Sequence, residues 1–149
     1  QFMNPLDSPW DYIKKEIPEI KKIAPIILID FHAEATAEKL CFGKYCSEFE
    51  VSAVLGTHTH VPTADEKIIN NYTAYITDVG FCGTYDSIIG MEYETSLKRL
   101  MTNLPARFDV AEGKMIELNA VSITFDKVSG CAKNIERIRL IKNYSEVDT

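Results

Sequence analysis

The chain has 149 residues, an apolar share of 46% and a formal net charge of −6. That is long enough for one domain with a core and too short for a complete (β/α)8 barrel, which disfavours a barrel-type metal-dependent amidohydrolase. The acidic balance comes with no lysine or arginine cluster that would mark a nucleic-acid footprint, and no apolar run approaches the roughly 20 residues of a membrane span.

In chain order, Ser8 reads as an N-cap for a helix over residues 9–23, with Ile13, Ile17, Ile20 and Ile23 as its apolar stripe and Pro18 expected to kink or divide it. Residues 26–29 and 51–55 are short β-branched runs, which predict strands of a sheet buried on both faces. A helix over residues 36–49 between them completes a βαβ unit. Residues 67–69 and 73–77 read as short strands around the turn-prone pair Asn70-Asn71. Leu97, Leu100, Met101 and Leu104 recur at helical spacing, predicting a helix over residues 94–104 whose stripe faces the core and which Pro105 ends.

The last third alternates apolar and polar residues over 115–125 and 133–141, with a turn at 127–130. This predicts a terminal antiparallel hairpin with Ile116, Leu118, Ala120, Ile135, Ile138 and Leu140 toward a core. The fold class expected from these elements is α/β, part of a two-sheet sandwich flanked by helices.

All three histidines fall on two short motifs, Asp30-Phe31-His32-Ala33-Glu34 and Gly56-Thr57-His58-Thr59-His60. Each motif follows a predicted strand, and ligands of open α/β sheets bind beyond the carboxyl ends of strands. His58 and His60 are two apart, so in an extended segment both imidazoles project to one side, after a sharp turn that Gly56 permits. Neutral imidazole is a common ligand of iron, manganese and zinc, so His32, His58 and His60 are candidate metal ligands. One histidine at a strand end is ordinarily a hydrogen-bonded structural residue; the pair together with a third at a second strand end favours a metal site. Asp30 and Glu34 read as a supporting acceptor and a helix N-terminal carboxylate, and Asp78 as a further supporting group at a strand end.

Residues 80–90 are the other candidate for function. Gly80, Gly83 and Gly90 give backbone freedom, while Tyr85, Asp86 and Ser87 could line a substrate cleft. An ordered loop with Asp86 and Ser87 capping backbone groups is the competing and favoured reading. Cys41, Cys46, Cys82 and Cys131 lack Cys-x-x-Cys spacing, which argues for buried or free thiols, against structural zinc, and for a reducing cytoplasm.

The segments DFHAEATAEK, VLGTHTHVPTAD and AYITDVGFCGTYDSIIG, followed by LPARFDVA, resemble the later portion of the YmdB-like bacterial cyclic-nucleotide phosphodiesterases, a branch of the calcineurin-like metallophosphoesterases. The resemblance runs from about Phe2 to about Ile141, with several motifs in order. It implies a di-metal hydrolase of cyclic nucleotides, including the 2′,3′-cyclic type, through a metal-activated hydroxide. Two iron or manganese ions are implied, with zinc as a further option; His32 and His58 would bind one and His60 the other. Members of that family also carry a Gly-Asp motif, a Glu-Asn pair and an Asn-His pair that supplies the general acid. None of these motifs occurs here.

The expectation is therefore a C-terminal portion of one metallophosphoesterase domain, its opening at Gln1 resembling an internal loop and its remaining ligands lying elsewhere in a longer enzyme. Self-association into a homo-oligomer is a further expectation, because apolar surface meant for a missing portion would face water. Two competing readings stay open. A metallo-β-lactamase-like hydrolase would need Asp and His directly after the histidine pair, where Val61-Pro62-Thr63-Ala64 stand instead. A non-catalytic metal- or nucleotide-binding regulatory module is the stronger alternative.

Overall fold

A computed structural model of the chain describes residues 7–105, 107 and 109–144. The expected loop at residues 1–6, and positions 106 and 108 of the LPARFDVA segment, lie outside the described residues. The chain divides into two compact units, one containing residues 7–80 and 121–137 and the other residues 81–120 and 138–144.

In the first unit, helix α1 (Pro9–Ile20) begins at Ser8, whose Oγ accepts from the Asp11 amide at 3.4 Å. Pro18 neither divides α1 nor precedes a long continuation. A proline close to a helix end forfeits little, because the helix stops at Ile20 and residues 21–23 form a turn. Ile13 and Ile17 are buried as expected, but Ile23 is 85% exposed because it lies past that end.

Strand β1 (Leu28–His32), helix α2 (Thr36–Glu48) and strand β2 (Ala53–Thr57) form the expected βαβ unit, with β1 and β2 parallel and His32 opposite Thr57. Both strands start two residues later than their apolar runs, so His32 closes β1 instead of following it. Strands β3 (Lys67–Ile69) and β4 (Thr73–Ile76) complete a sheet of order β1-β2-β4-β3. Asn70 and Asn71 both take positive φ, 50° and 54°, in the turn that joins β3 to β4. Burial on both faces holds for β4 but not for β1, an edge strand among the described residues, whose Leu28 is 53% exposed.

Period-2 alternation splits the strand side chains between two cores. Ile29, Phe31, Val54 and Tyr75 pack with Ile13 and Ile17 of α1 and Phe42 and Cys46 of α2. Phe31 stacks on Phe42 at 3.9 Å between centroids. Burial pushes the Cys46 thiol up to about 12, so it is an inert packing group. Ala53, Leu55, Ala74 and Ile68 pack on the opposite face against Val121, Ile123, Phe125, Ala132 and Ile135 of the C-terminal hairpin. Within this unit a helical layer and the hairpin residues 121–125 and 132–135 thus cover the two faces, as expected of an α/β sandwich.

Strand β5 (Gly83–Thr84), helix α3 (Tyr93–Thr102), and strands β6 (Met115–Phe125) and β7 (Ala132–Asn143) complete the elements; the second sheet has the order β5-β6-β7. Two expectations fail in the second unit. The α3 stripe does not face a core: Leu100, Met101 and Leu104 are 75%, 76% and 63% exposed, and Ser96 is the buried residue. The parity of β6 is also reversed. Glu117 and Asn119 are buried, whereas Leu118 is exposed, as are Ile138 and Leu140 on β7. Glu117 accepts from Arg139 Nε at 2.6 Å, and Asn119 Nδ2 donates to the Phe81 carbonyl at 2.8 Å. These polar partners permit the inward set. Of the β7 residues expected to face a core, Ile135 does so, in the first unit. Among the described residues, no helix is long and apolar enough to cross a membrane.

Candidate metal centre

Parallel pairing sets the carboxyl ends of β1 and β2 side by side. Asp30 and His32 share one face of β1 through the strand period, and register places Thr57 beside His32. Thr57 Oγ1 donates to Asp30 Oδ1 at 2.8 Å and lies 3.1 Å from His32 Nδ1. A hydroxyl has one proton to donate, so while Thr57 donates it to Asp30 its oxygen accepts from the His32 ring. This favours the proton on Nδ1 and leaves a lone pair on Nε2, by which His32 could bind a metal.

His32 Nε2 and His58 Nδ1 are 3.2 Å apart, with ring planes at 78°. Two nitrogens bound to one ion at about 2.0–2.1 Å and a roughly tetrahedral angle are separated by about 3.3 Å. The donor set and its spacing therefore fit one shared ion. The fit is partial, since among the described residues no group of three histidine, cysteine, aspartate or glutamate side chains gathers as a metal shell.

The segment after β2 departs from the extended form assumed from spacing. His58 has φ 139° and His60 φ 63°, so the two-residue spacing does not make them neighbours on one strand face. Gly56 is also needed for a reason other than a turn. It lies inside β2, and a Cβ there would sit 1.8 Å from the Thr77 carbonyl oxygen. Close backbone approach is what excludes a side chain.

Asp78 is fully buried beneath this loop. Its Oδ2 accepts from the Thr59 amide at 2.9 Å and from Lys39 Nζ at 2.9 Å, and its Oδ1 accepts from the Gly80 amide at 3.0 Å. Burial pushes its carboxyl up, but the Thr59 amide, Lys39 and the Gly80 amide outweigh that and hold it below the usual carboxylate range. Asp78 thus acts on the backbone between His58 and His60. At the other end of the loop, Asp65 accepts from Thr63 Oγ1 at 2.6 Å, Thr77 Oγ1 at 2.6 Å and the Thr77 amide at 3.1 Å. Burial raises the Asp65 carboxyl, and these bonds with Lys67 nearby more than reverse it. Glu34 is exposed and precedes the α2 N-cap, Ala35, by one residue.

Thr57 and Lys39 escaped the sequence reading. Thr57 was detectable, because pairing the two predicted strands in parallel brings it level with His32. Lys39 falls on the α2 stripe that also carries Phe42, Gly43 and Cys46, and a lysine at that position signals a buried acidic partner.

Tyr85, Asp86 and Ser87 lie in the second unit, after β5. Ser87 Oγ donates to the Thr84 carbonyl at 2.5 Å and accepts from the Gly90 amide at 3.0 Å. Ser87 is thus a capping residue of an ordered loop, while Tyr85 and Asp86 are exposed.

Comparison with known proteins bears out the resemblance read from the motifs. A 2′,3′-cyclic-nucleotide 2′-phosphodiesterase of Bacillus subtilis (strain 168) is 54% identical over 137 residues, covering 92% of this chain and 51% of the relative. A crystal structure of a hypothetical protein from Thermus thermophilus superposes with a TM-score of 0.84 at 40% identity, over 95% of this chain and 54% of that one. A crystal structure of a novel phosphatase from Mycoplasma pneumoniae gives 0.83 at 32% identity, over 98% of this chain and 53% of that one. The chain spans about half the length of the relatives it matches. The model of the YmdB-like protein family matches residues 1–138, and with the histidine motifs on paired strand ends the chain belongs to that family.

Proposed function

We propose that the chain forms part of a metal-dependent phosphodiesterase that hydrolyses cyclic nucleotides, the 2′,3′-cyclic type first among them. The observation that carries this reading is the His32–His58 pair at 3.2 Å, its tautomer set by the Thr57–Asp30 relay, in a chain 54% identical to a relative named for that reaction. In this reading the chain is the C-terminal portion of a single metallophosphoesterase domain, and a further segment of the longer protein brings the remaining ligands and the proton donor.

His32 and His58 would hold one ion and His60 a second, with iron or manganese suited to imidazole and oxygen donors. Such ions supply Lewis-acid polarisation of a phosphoryl oxygen and acidify water at neutral pH. The chain's own contribution is orientation. Thr57 keeps the His32 lone pair outward, Asp30 holds Thr57, and Asp78 holds the backbone that carries His58. A net charge of −6 offers little attraction to an anionic substrate, so recognition of phosphate falls to the ions and to local donors. Tyr85 and Asp86 are the proposed substrate-facing groups of the loop after β5. The reducing cytoplasm is the proposed compartment, consistent with four free thiols.

The His32–His58 pair also accommodates one second reading, a non-catalytic metal- or nucleotide-binding module. Hydrolysis of 2′,3′-cyclic AMP by the full-length protein, loaded with manganese, separates the two. His58→Ala is expected to lower kcat/KM by at least about 100-fold. A rate near wild type would sink the metal reading, and retention of the nucleotide without turnover in the unmutated protein would favour the module.

A further inference from the structure

We propose that the buried Lys39–Asp78 ion pair is a positioning device for the histidine loop, and that Lys39, from helix α2, sets the geometry of a site it does not touch. The inference rests on the metal reading above and adds to it a pair of residues outside the ligand set.

Lys39 and Asp78 are 1% and 0% exposed, with Nζ and Oδ2 at 2.9 Å. Removing both charges from water is expensive, and apolar side chains in the same volume would serve packing as well or better. Packing alone therefore does not account for the pair. The loop from His58 to Thr63 does, because it has no strand partner for the Thr59 amide. Asp78 accepts that amide and the Gly80 amide, its own carbonyl accepts from the Thr63 amide at 3.0 Å, and its amide donates to Thr63 Oγ1 at 2.9 Å. One residue thus grips the loop on both sides of Val61.

The loop needs such a grip. His58 and His60 hold positive φ, a conformation that costs energy for residues with a Cβ and persists only where the surroundings over-determine it. Thr59, whose amide Asp78 holds, stands between them, so rotation of that peptide would move both imidazoles. The two amides are taken by separate oxygens of one carboxylate, and a neighbouring cation stabilises a fully buried carboxylate in its ionised form. Lys39 supplies it from the apolar stripe of α2.

The test compares Lys39→Met and Lys39→Gln with Cys46→Ala, a core control on the same helix, in the full-length protein. Three quantities are read: thermal midpoint, manganese affinity by titration calorimetry, and hydrogen exchange at the Thr59 amide. Lys39→Met is expected to weaken manganese binding roughly 10- to 100-fold and to speed Thr59 exchange at least about tenfold. Lys39→Gln, which keeps a donor toward Asp78, is expected to recover most of both. Cys46→Ala, at a comparable loss in thermal midpoint, is expected to change manganese affinity less than about threefold. Equal losses in the control and in Lys39→Met, or unfolding of both lysine variants, would overturn the inference by showing that the pair serves general stability. If the unmutated protein binds no manganese, the metal reading fails, and the positioning role is decided by Thr59 exchange alone: faster in Lys39→Met supports it, unchanged overturns it.

Discussion

Two of the loops in this molecule place bulky side chains at positive φ, and they are held differently. The loop after β2 carries His58 and His60 at 139° and 63°, and it is gripped by two buried or half-buried carboxylates, Asp78 and Asp65. The loop after β5 carries Ile89 at 49°, and it is held by the Ser87 hydroxyl and by reciprocal backbone bonds between Ile88 and Met91 at 2.8 and 2.9 Å. The first arrangement places charge in the protein interior to keep two imidazoles in place. The second is an ordinary tight turn with an awkward residue in it. Strain alone therefore does not mark function; strain beneath which buried charge has been placed is the better marker.

The largest expected effect on this contrast comes from Gly56→Ala. The new methyl would meet the Thr77 carbonyl oxygen at 1.8 Å, and backbone on both sides would have to part. A loss of about 3 kcal/mol is expected by chemical denaturation, at the upper end of overpacking costs. The displaced Thr77 would also loosen its bonds to Asp65, so exchange at the Thr77 amide should quicken more than exchange at Gly90. A loss under about 1 kcal/mol would mean that the two strands separate easily and that the loop after β2 is less fixed than its bonds indicate.

Acid should separate the loops next. Folding lowers the pKa of Asp65 and Asp78, so over an interval of pH the folded chain keeps both ionised while the unfolded chain takes up protons. Their stabilisation is complete above about pH 5, begins to fall near the unfolded value of about 3.9, and is lost as pH drops through the lower folded values. Denaturation midpoints between about pH 6 and about pH 3 should fall in that order, with the Thr59 amide losing protection before the Gly90 amide. A midpoint that stays level down to about pH 3 would remove the carboxylates from the account.

The same contrast explains what could be read from sequence. Apolar runs at 26–29 and 51–55 located the βαβ unit, and the Asn70-Asn71 pair located a hairpin, because these patterns report local backbone preference directly. The histidine motifs located the strand ends. A spacing of two puts His58 and His60 on a shared side only in extended backbone, and the bond that holds this segment bent comes from Asp78, 19 positions from Thr59 in sequence. A glycine in sequence does not reveal whether freedom of φ or lack of a Cβ is required, and at Gly56 it is the missing Cβ that matters. The α3 stripe and the parity of β6 failed for another reason. Periodicity identifies a face, but which face is buried depends on neighbours, and Glu117 and Asn119 turn inward where Arg139 and the Phe81 carbonyl meet them.

The smallest effect should come from relieving the second loop. Ile89 and Gly90 are the central pair of a turn with φ 49° and 97°, a conformation that favours asparagine at the first position and glycine at the second. Ile89 is 45% exposed, so its side chain has limited burial to lose, whereas a β-branched residue in the left-handed region is strained. Ile89→Asn is accordingly expected to raise stability by about 0.5–1 kcal/mol, measured by urea denaturation, without altering manganese affinity or Thr59 exchange. A loss of stability would show that packing of Ile89 outweighs its backbone strain. A change in manganese affinity would break the contrast itself, since the loop after β5 would then bear on the histidines as the loop after β2 does.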